Sequence, residues 1–173
     1  MPALIRPHHG QTPRVATGAF IAETAVLIGE VEIGEDASIW YGTVLRGDGQ
    51  RITVGARTNI QDGTIVHIAS DRLPAIIGSG ITVGHGAIIH ACTLEDDSFV
   101  GMGATVMDGA VVQRHAMVAA GALVTPGKVV PTGELWAGSP ARKMRDLTDA
   151  DYRQIHSSAE HYCELARSYM AGR

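Results

Sequence analysis

Aliphatic residues recur every six positions from Val15 to Trp136. The beat runs through Ile21, Leu27, Ile33, Ile39 and Leu45. It resumes at Val54, Ile60 and Val66, then at Ile77, Val83 and Ile89. From Leu94 it continues through Val100, Val106, Val112, Val118, Val124 and Val130 to Trp136. Nineteen of these 20 positions are Val, Ile or Leu, although those types make up only 39 of the 173 residues, so the period is not chance. The residue four places after a beat is usually small, as at Ala25, Ala37, Thr58, Ala87, Ala104 and Ala116. A short fixed period of this kind predicts a solenoid, and hexads build parallel β-helices.

Each hexad is one short strand and a turn, and three hexads close a triangular coil. The aliphatic residue points inward onto its equivalents in the next coils, and the small residue fits the corner. Coils then lie about 4.8 Å apart. The β-branched bias of the beat favours strand over helix. The beats fall on three faces: Val15, Ile33, Val54, Ile77, Leu94, Val112 and Val130 on the first; Ile21, Ile39, Ile60, Val83, Val100, Val118 and Trp136 on the second; Leu27, Leu45, Val66, Ile89, Val106 and Val124 on the third.

The expected organisation is a lead-in over 1–14, a mainly β solenoid domain over 15–140 and a C-terminal helix over 147–171. The helix is signalled by Thr148 as N-cap, by Asp151 three residues on, and by Tyr152, Ile155, Ala159, Tyr162, Ala166 and Tyr169 at helical spacing. It is expected to pack on the solenoid or on a neighbouring subunit.

Composition narrows the class. A net charge of −4 without a basic stripe argues against nucleic acid. No long apolar run suggests a membrane span or signal peptide. Cys92 and Cys163 lack metal-like or redox-like spacing, which favours idle thiols in a reducing, cytoplasmic setting. His8 and His9 read as surface residues, as do His115, His156 and His161.

The beat is irregular after Leu45, Val66 and Ile89, all at the corner past the third face. The position just after the beat there holds Arg46, His67 and His90 in successive coils. His67 and His90 are therefore one rung apart and can meet at one metal ion. A second column, two places after the beat on the second face, holds Tyr41, Asp62 and His85. His85 lies on another side of the triangle, within reach of such a pair only on a neighbouring subunit. A two-plus-one set of histidines implies a homo-oligomer, and a ring of three satisfies it. Arg46, Asp48 and Asn59 serve equally well as corner hydrogen-bonders or ion-pair partners, and spacing alone leaves their roles open.

Arg46-Gly47-Asp48, Asn59-Ile60-Gln61-Asp62, His67, Gly84-His85, His90-Ala91-Cys92-Thr93, Gly138-Ser139-Pro140-Ala141 and Ser158-Ala159 with Tyr162 together resemble the motif series of the γ-class carbonic anhydrases. The resemblance spans nearly the whole chain. It implies a left-handed β-helix, a homotrimer, and zinc (or iron or cobalt) between subunits, held by His67 and His90 of one and His85 of the next. It implies that the metal supplies hydroxide for the reversible hydration of carbon dioxide to bicarbonate. Gln61 would orient the hydroxide or substrate, Arg46 and Asp62 would pair across the interface, Asp48 and Asn59 would support them, and Tyr162 would donate a hydrogen bond near the site mouth. Well-known active members move protons with glutamates in an acidic loop and beside the Arg-Gly-Asp segment. Here Gly49 follows Asp48, and Asp71 is the only carboxylate between His67 and Ile77. Proton exit would then fall to buffer, to Asp71 or to another route.

Other readings are a metal-dependent acyl-CoA thioesterase, an acyltransferase with a single histidine base, and a non-catalytic scaffold or metal carrier. Three histidines at ligand spacing disfavour the acyltransferase.

Overall fold

The computed structural model describes residues 2–70 and 72–172. They form a left-handed parallel β-helix with one C-terminal helix. The three aliphatic columns stack in the expected registers. On the third face Leu27, Leu45, Val66, Ile89, Val106 and Val124 pair in order. On the second, the stack runs from Ile21 through Ile39, Ile60, Val83, Val100 and Val118 to Trp136. On the first it runs from Val15 through Ile33, Val54, Ile77, Leu94 and Val112 to Val130. Most of these side chains are fully buried and make one continuous core. Small residues occupy the corners, and Thr43, Thr58 and Thr64 donate their hydroxyls to carbonyls of the next coil. Each hydroxyl thereby finds a partner inside the coil stack.

The corner past the third face departs from this regularity. In the first coils the chain runs straight through it, as the strands Val26–Ile33 and Val44–Val54. Register is kept from Leu27↔Leu45 to Gly29↔Gly47 and resumes at Val31↔Ile52. Four residues, Asp48 to Arg51, there stand against the single Glu30, and the three in excess are thrown out at the corner. In later coils the two faces separate into the strands Ile65–His67 and Ala75–Ile77, then Ile88–His90 and Thr93–Leu94. Asp71, the expected carboxylate of the intervening loop, lies outside the described residues.

Both ends hold elements that the six-residue beat does not reveal. The lead-in carries a strand, Leu4–Arg6, which pairs with Val26–Ile28 and adds a rung to the third face. At the other end Glu134–Gly138 turns back into an antiparallel strand, Ala141–Asp146.

The helix spans Asp149–Ala171 and starts in a reciprocal capping box between Thr148 and Asp151. Asp151 also receives two bonds from Arg145, at 2.6 and 3.0 Å, which tie the helix start to the preceding strand. These partners hold its carboxyl well below the usual range, Arg145 contributing most. The helix lies on the second face of its own chain. It buries Ile155, Ala159, Cys163 and Ala166 there. Phe20, Trp40 and Tyr41 on the sheet meet Tyr162 and Tyr169 on the helix. Both cysteines are buried and free. Burial pushes the Cys92 thiol up to about 12, so it is inert at neutral pH. His115 is not the surface residue its position mid-repeat predicts. The helix covers it, and its ring meets those of Tyr152 and His156.

Candidate metal centre at the irregular corner

The outward column of the third face brings Arg46, His67 and His90 side by side in register. His67 and His90 are half-buried, with ring centroids 5.2 Å apart. Nδ1 of His67 faces Nε2 of His90 at 3.2 Å. Two ligands about 2.05 Å from a tetrahedral metal are separated by about 3.3 Å, so these two nitrogens stand at the spacing one ion requires.

The other ring nitrogens decide the tautomers. Nε2 of His67 lies 3.1 Å from Oδ1 of Asp48, and Nδ1 of His90 lies 2.6 Å from Oδ1 of Asp108. An ionised carboxylate only accepts, so each of these nitrogens carries the proton and donates it. The two nitrogens that face each other are then both lone pairs. Two lone pairs at 3.2 Å repel unless a proton or a cation lies between them. A histidine that donates its far N–H to a carboxylate is the usual ligand in a carboxylate–histidine–metal arrangement. The donor set therefore fits zinc, and imidazole suits iron and cobalt as well.

Asp48 also takes a short contact from Arg46. Burial raises its carboxyl, but the bonds from His67 and Arg46 outweigh that and hold it below its ordinary value. A pocket of about 280 Å³ opens at this corner between Arg46, Asp48, Gly49, His67, Ile68 and Ser70. Gly49 has no room for a side chain, because a Cβ there would stand 2.5 Å from the carbonyl oxygen of Ser70.

His85 is elsewhere, just past the strand Thr82–Val83 of the second sheet. Its Nδ1 lies 2.9 Å from Oδ2 of Asp62, which again leaves the other nitrogen as a lone pair. Among the described residues no three metal-ligating side chains gather within one chain. The structure brings together Arg46, Asp48, His67 and His90, and separately Asn59, Gln61, Asp62, His85 and Tyr162.

The second group is well braced. Gln61 is buried and donates to Oδ1 of Asn59 at 3.0 Å. Asn59 donates to Thr82 and to the carbonyl of Ile81, and Thr82 donates to Ser158 on the helix. Tyr162 packs edge-on against Trp40, and its hydroxyl is pushed up by burial and by the nearby Asp62 charge. An apolar cavity of about 440 Å³ runs from Gln61 and His85 past Phe99, Met102 and Met117 to Arg145.

Asp108 is a site residue that sequence reasoning missed. It stands 18 residues beyond His90, one coil further on. A carboxylate about one coil from each histidine was the available signal.

Comparison with known proteins places this geometry. No family model matches the chain. It is 53% identical over 162 residues to gamma carbonic anhydrase 2, mitochondrial, of Arabidopsis thaliana, which covers 91% of this chain but 58% of that protein. The chain thus spans about three fifths of that relative. It is 41% identical to a carbonic anhydrase of Geobacillus kaustophilus, over 97% of this chain and 92% of the other. Among solved structures, a hexapeptide transferase family protein from Anaplasma phagocytophilum superposes with a TM-score of 0.93 at 50% identity, over 98% of this chain and 99% of that one. Sequence identity over nine tenths or more of this chain and a shared coil architecture agree with one another: the chain belongs to the gamma carbonic anhydrase family.

Proposed function

We propose that the protein catalyses the reversible hydration of carbon dioxide at a metal centre shared between subunits of a homotrimer. The observation that carries this reading is the tautomer arrangement. Asp48, Asp108 and Asp62 each take the proton-bearing nitrogen of one histidine, and each ring is left with a lone pair for a metal. His67 and His90 would come from one subunit and His85 from a second copy. Bound zinc would supply Lewis acidity and acidify a water to a pKa of about 7.

The chain's own residues hold and orient. The carboxylates fix the tautomer and the aim of each imidazole and make it a more basic ligand. Gln61, fixed through Asn59, Thr82 and Ser158, presents an amide that cannot drift, which suits orientation of a small linear substrate. Arg46 neutralises Asp48 on the outer side of His67. Assembly is supported by the third face itself. Ile65 and Ile88, 46% and 41% exposed, stand two residues before His67 and His90 on the same outward surface. Apolar residues at that place suit burial against another copy.

The cavity of about 440 Å³ beside His85 is far larger than carbon dioxide needs. It favours one alternative, the hydrolysis of a thioester with an apolar acyl group by the same metal centre. A single histidine base of the acyltransferase kind fits less well, because two ring nitrogens, of His67 and His90, converge at the spacing of one ion.

Stopped-flow hydration of carbon dioxide, on protein loaded separately with zinc and iron and assayed for metal, tests the proposal. Activity that tracks metal content supports it. Full loading without hydration overturns it and directs the search to thioesters.

A further inference from the structure

The hydration of carbon dioxide leaves one proton per turnover: carbon dioxide and water give bicarbonate and a proton. That proton must leave the site. Position 49 has no room for a side chain, so it can supply no carboxylate to the pocket. The structure offers another route at a place the solenoid does not explain.

Residues 8–11 form a tight turn on the lead-in. His8 and Gln11 exchange both backbone bonds at 2.9 Å. His9 and Gly10 both have positive φ, 47° and 77°, the geometry of a two-residue mirror-image turn. This turn seats on the corner loop. His8, His9, Gln11, Glu30, Gly47, Asp48 and Gly49 enclose a cavity of about 80 Å³, room for a few water molecules. Asp48 and Gly49 also line the pocket that holds His67. The two spaces therefore share a wall. The rings of His8 and His9 touch, with centroids 4.1 Å apart, and His8 is half-buried while His9 is exposed. A half-buried and an exposed imidazole thus stand in contact at the cavity that adjoins the metal corner.

We infer that His8 and His9 form a two-member proton relay for the metal site. The inference rests on the anhydrase reading. Imidazole is the side chain whose ordinary pKa, about 6.5, allows it to take and give a proton at neutral pH. His8 accepts the proton from cavity water on one ring nitrogen and gives up a proton to His9, which passes it to buffer. Dehydration runs the same steps in reverse. Glu30 and Asp48 are the charged groups that line the cavity.

The test is oxygen-18 exchange between bicarbonate and water at chemical equilibrium on the metal-loaded protein. It measures carbon dioxide–bicarbonate interconversion separately from the proton-dependent release of labelled water. The double variant His8→Gln/His9→Gln should release labelled water at least about tenfold more slowly in weak buffer. Interconversion and metal content should be unchanged, and added imidazole should restore release. His9→Gln alone, at an exposed ring, should give the same pattern at smaller amplitude. NMR of the metal-free protein supplies a readout independent of turnover: His9→Gln should move the ring resonances of His8, since the two rings touch. Label release at the wild-type rate in the double variant, or His8 resonances unmoved by His9→Gln, overturns the relay alone. Absence of exchange in the wild-type protein removes the relay together with the anhydrase reading.

Discussion

Removing the Asp108 carboxylate isolates the tautomer argument from the rest of the site. Asp108 accepts from Nδ1 of His90 at 2.6 Å, a short bond to a charged acceptor. Among the described residues its one histidine bond is to His90, and it is half-exposed, so its loss leaves the coil core intact. In Asp108→Ala the His90 ring is free to place its proton on either nitrogen and to rotate. Loss of such a partner typically lowers metal affinity 10–100-fold, or about 1.4–2.7 kcal/mol. Asp108→Asn keeps an acceptor oxygen at the same place, so its loss should be at most about half as large in free energy. The assay is competition for zinc against a chromophoric chelator, with thermal unfolding of the metal-free proteins as control. The expected order of affinity is wild type, then Asn, then Ala, with similar unfolding midpoints. Affinities within twofold of one another would refute the claim that Asp108 sets the ligand face of His90.

Three further outcomes are expected. Ile89 is fully buried between Val66 and Val106, so Ile89→Ala should lose about 2–5 kcal/mol in urea unfolding; a loss under 1 kcal/mol would mean that the coils collapse onto the gap. Asp151 has its folded pKa depressed, chiefly by Arg145, so its contribution is present above the unfolded value near pH 4 and is lost as pH falls toward the folded value. The gap in thermal midpoint between wild type and Asp151→Asn should therefore be constant from about pH 8 to 5 and shrink below about pH 4; a gap that widens on acidification would reverse that sign. Ile88→Lys should leave the single chain folded, since the side chain is already 41% exposed, but should block assembly, read by sedimentation; an unchanged oligomer would move the interface off the third face.

Much of the fold could be read from the sequence because a six-residue period leaves no freedom in register. Once Leu45, Val66 and Ile89 share a face, the residues after them, Arg46, His67 and His90, must align. What could not be read depends on packing between elements that the period does not relate. His115 looks like a corner residue until the helix lies across it. Leu4–Arg6 is a rung in space but not in the count, since it joins through a turn of its own. Asp48 and Asp108 reach histidines from flanking coils, and only side-chain direction reveals which ring each one meets. The place of the helix on the second face follows from Phe20, Trp40 and Tyr162, an aromatic seam with no periodic signature.

The outward row that holds the two imidazoles continues beyond them through Arg46 to Ile28 and Arg6. Every place in that row is held at the same pitch by backbone ladders rather than by a loop. Such a rack presents pre-spaced side chains whatever their identity. A site of this kind can drift along the molecule by point changes alone, one rung at a time, while the scaffold beneath it stays the same.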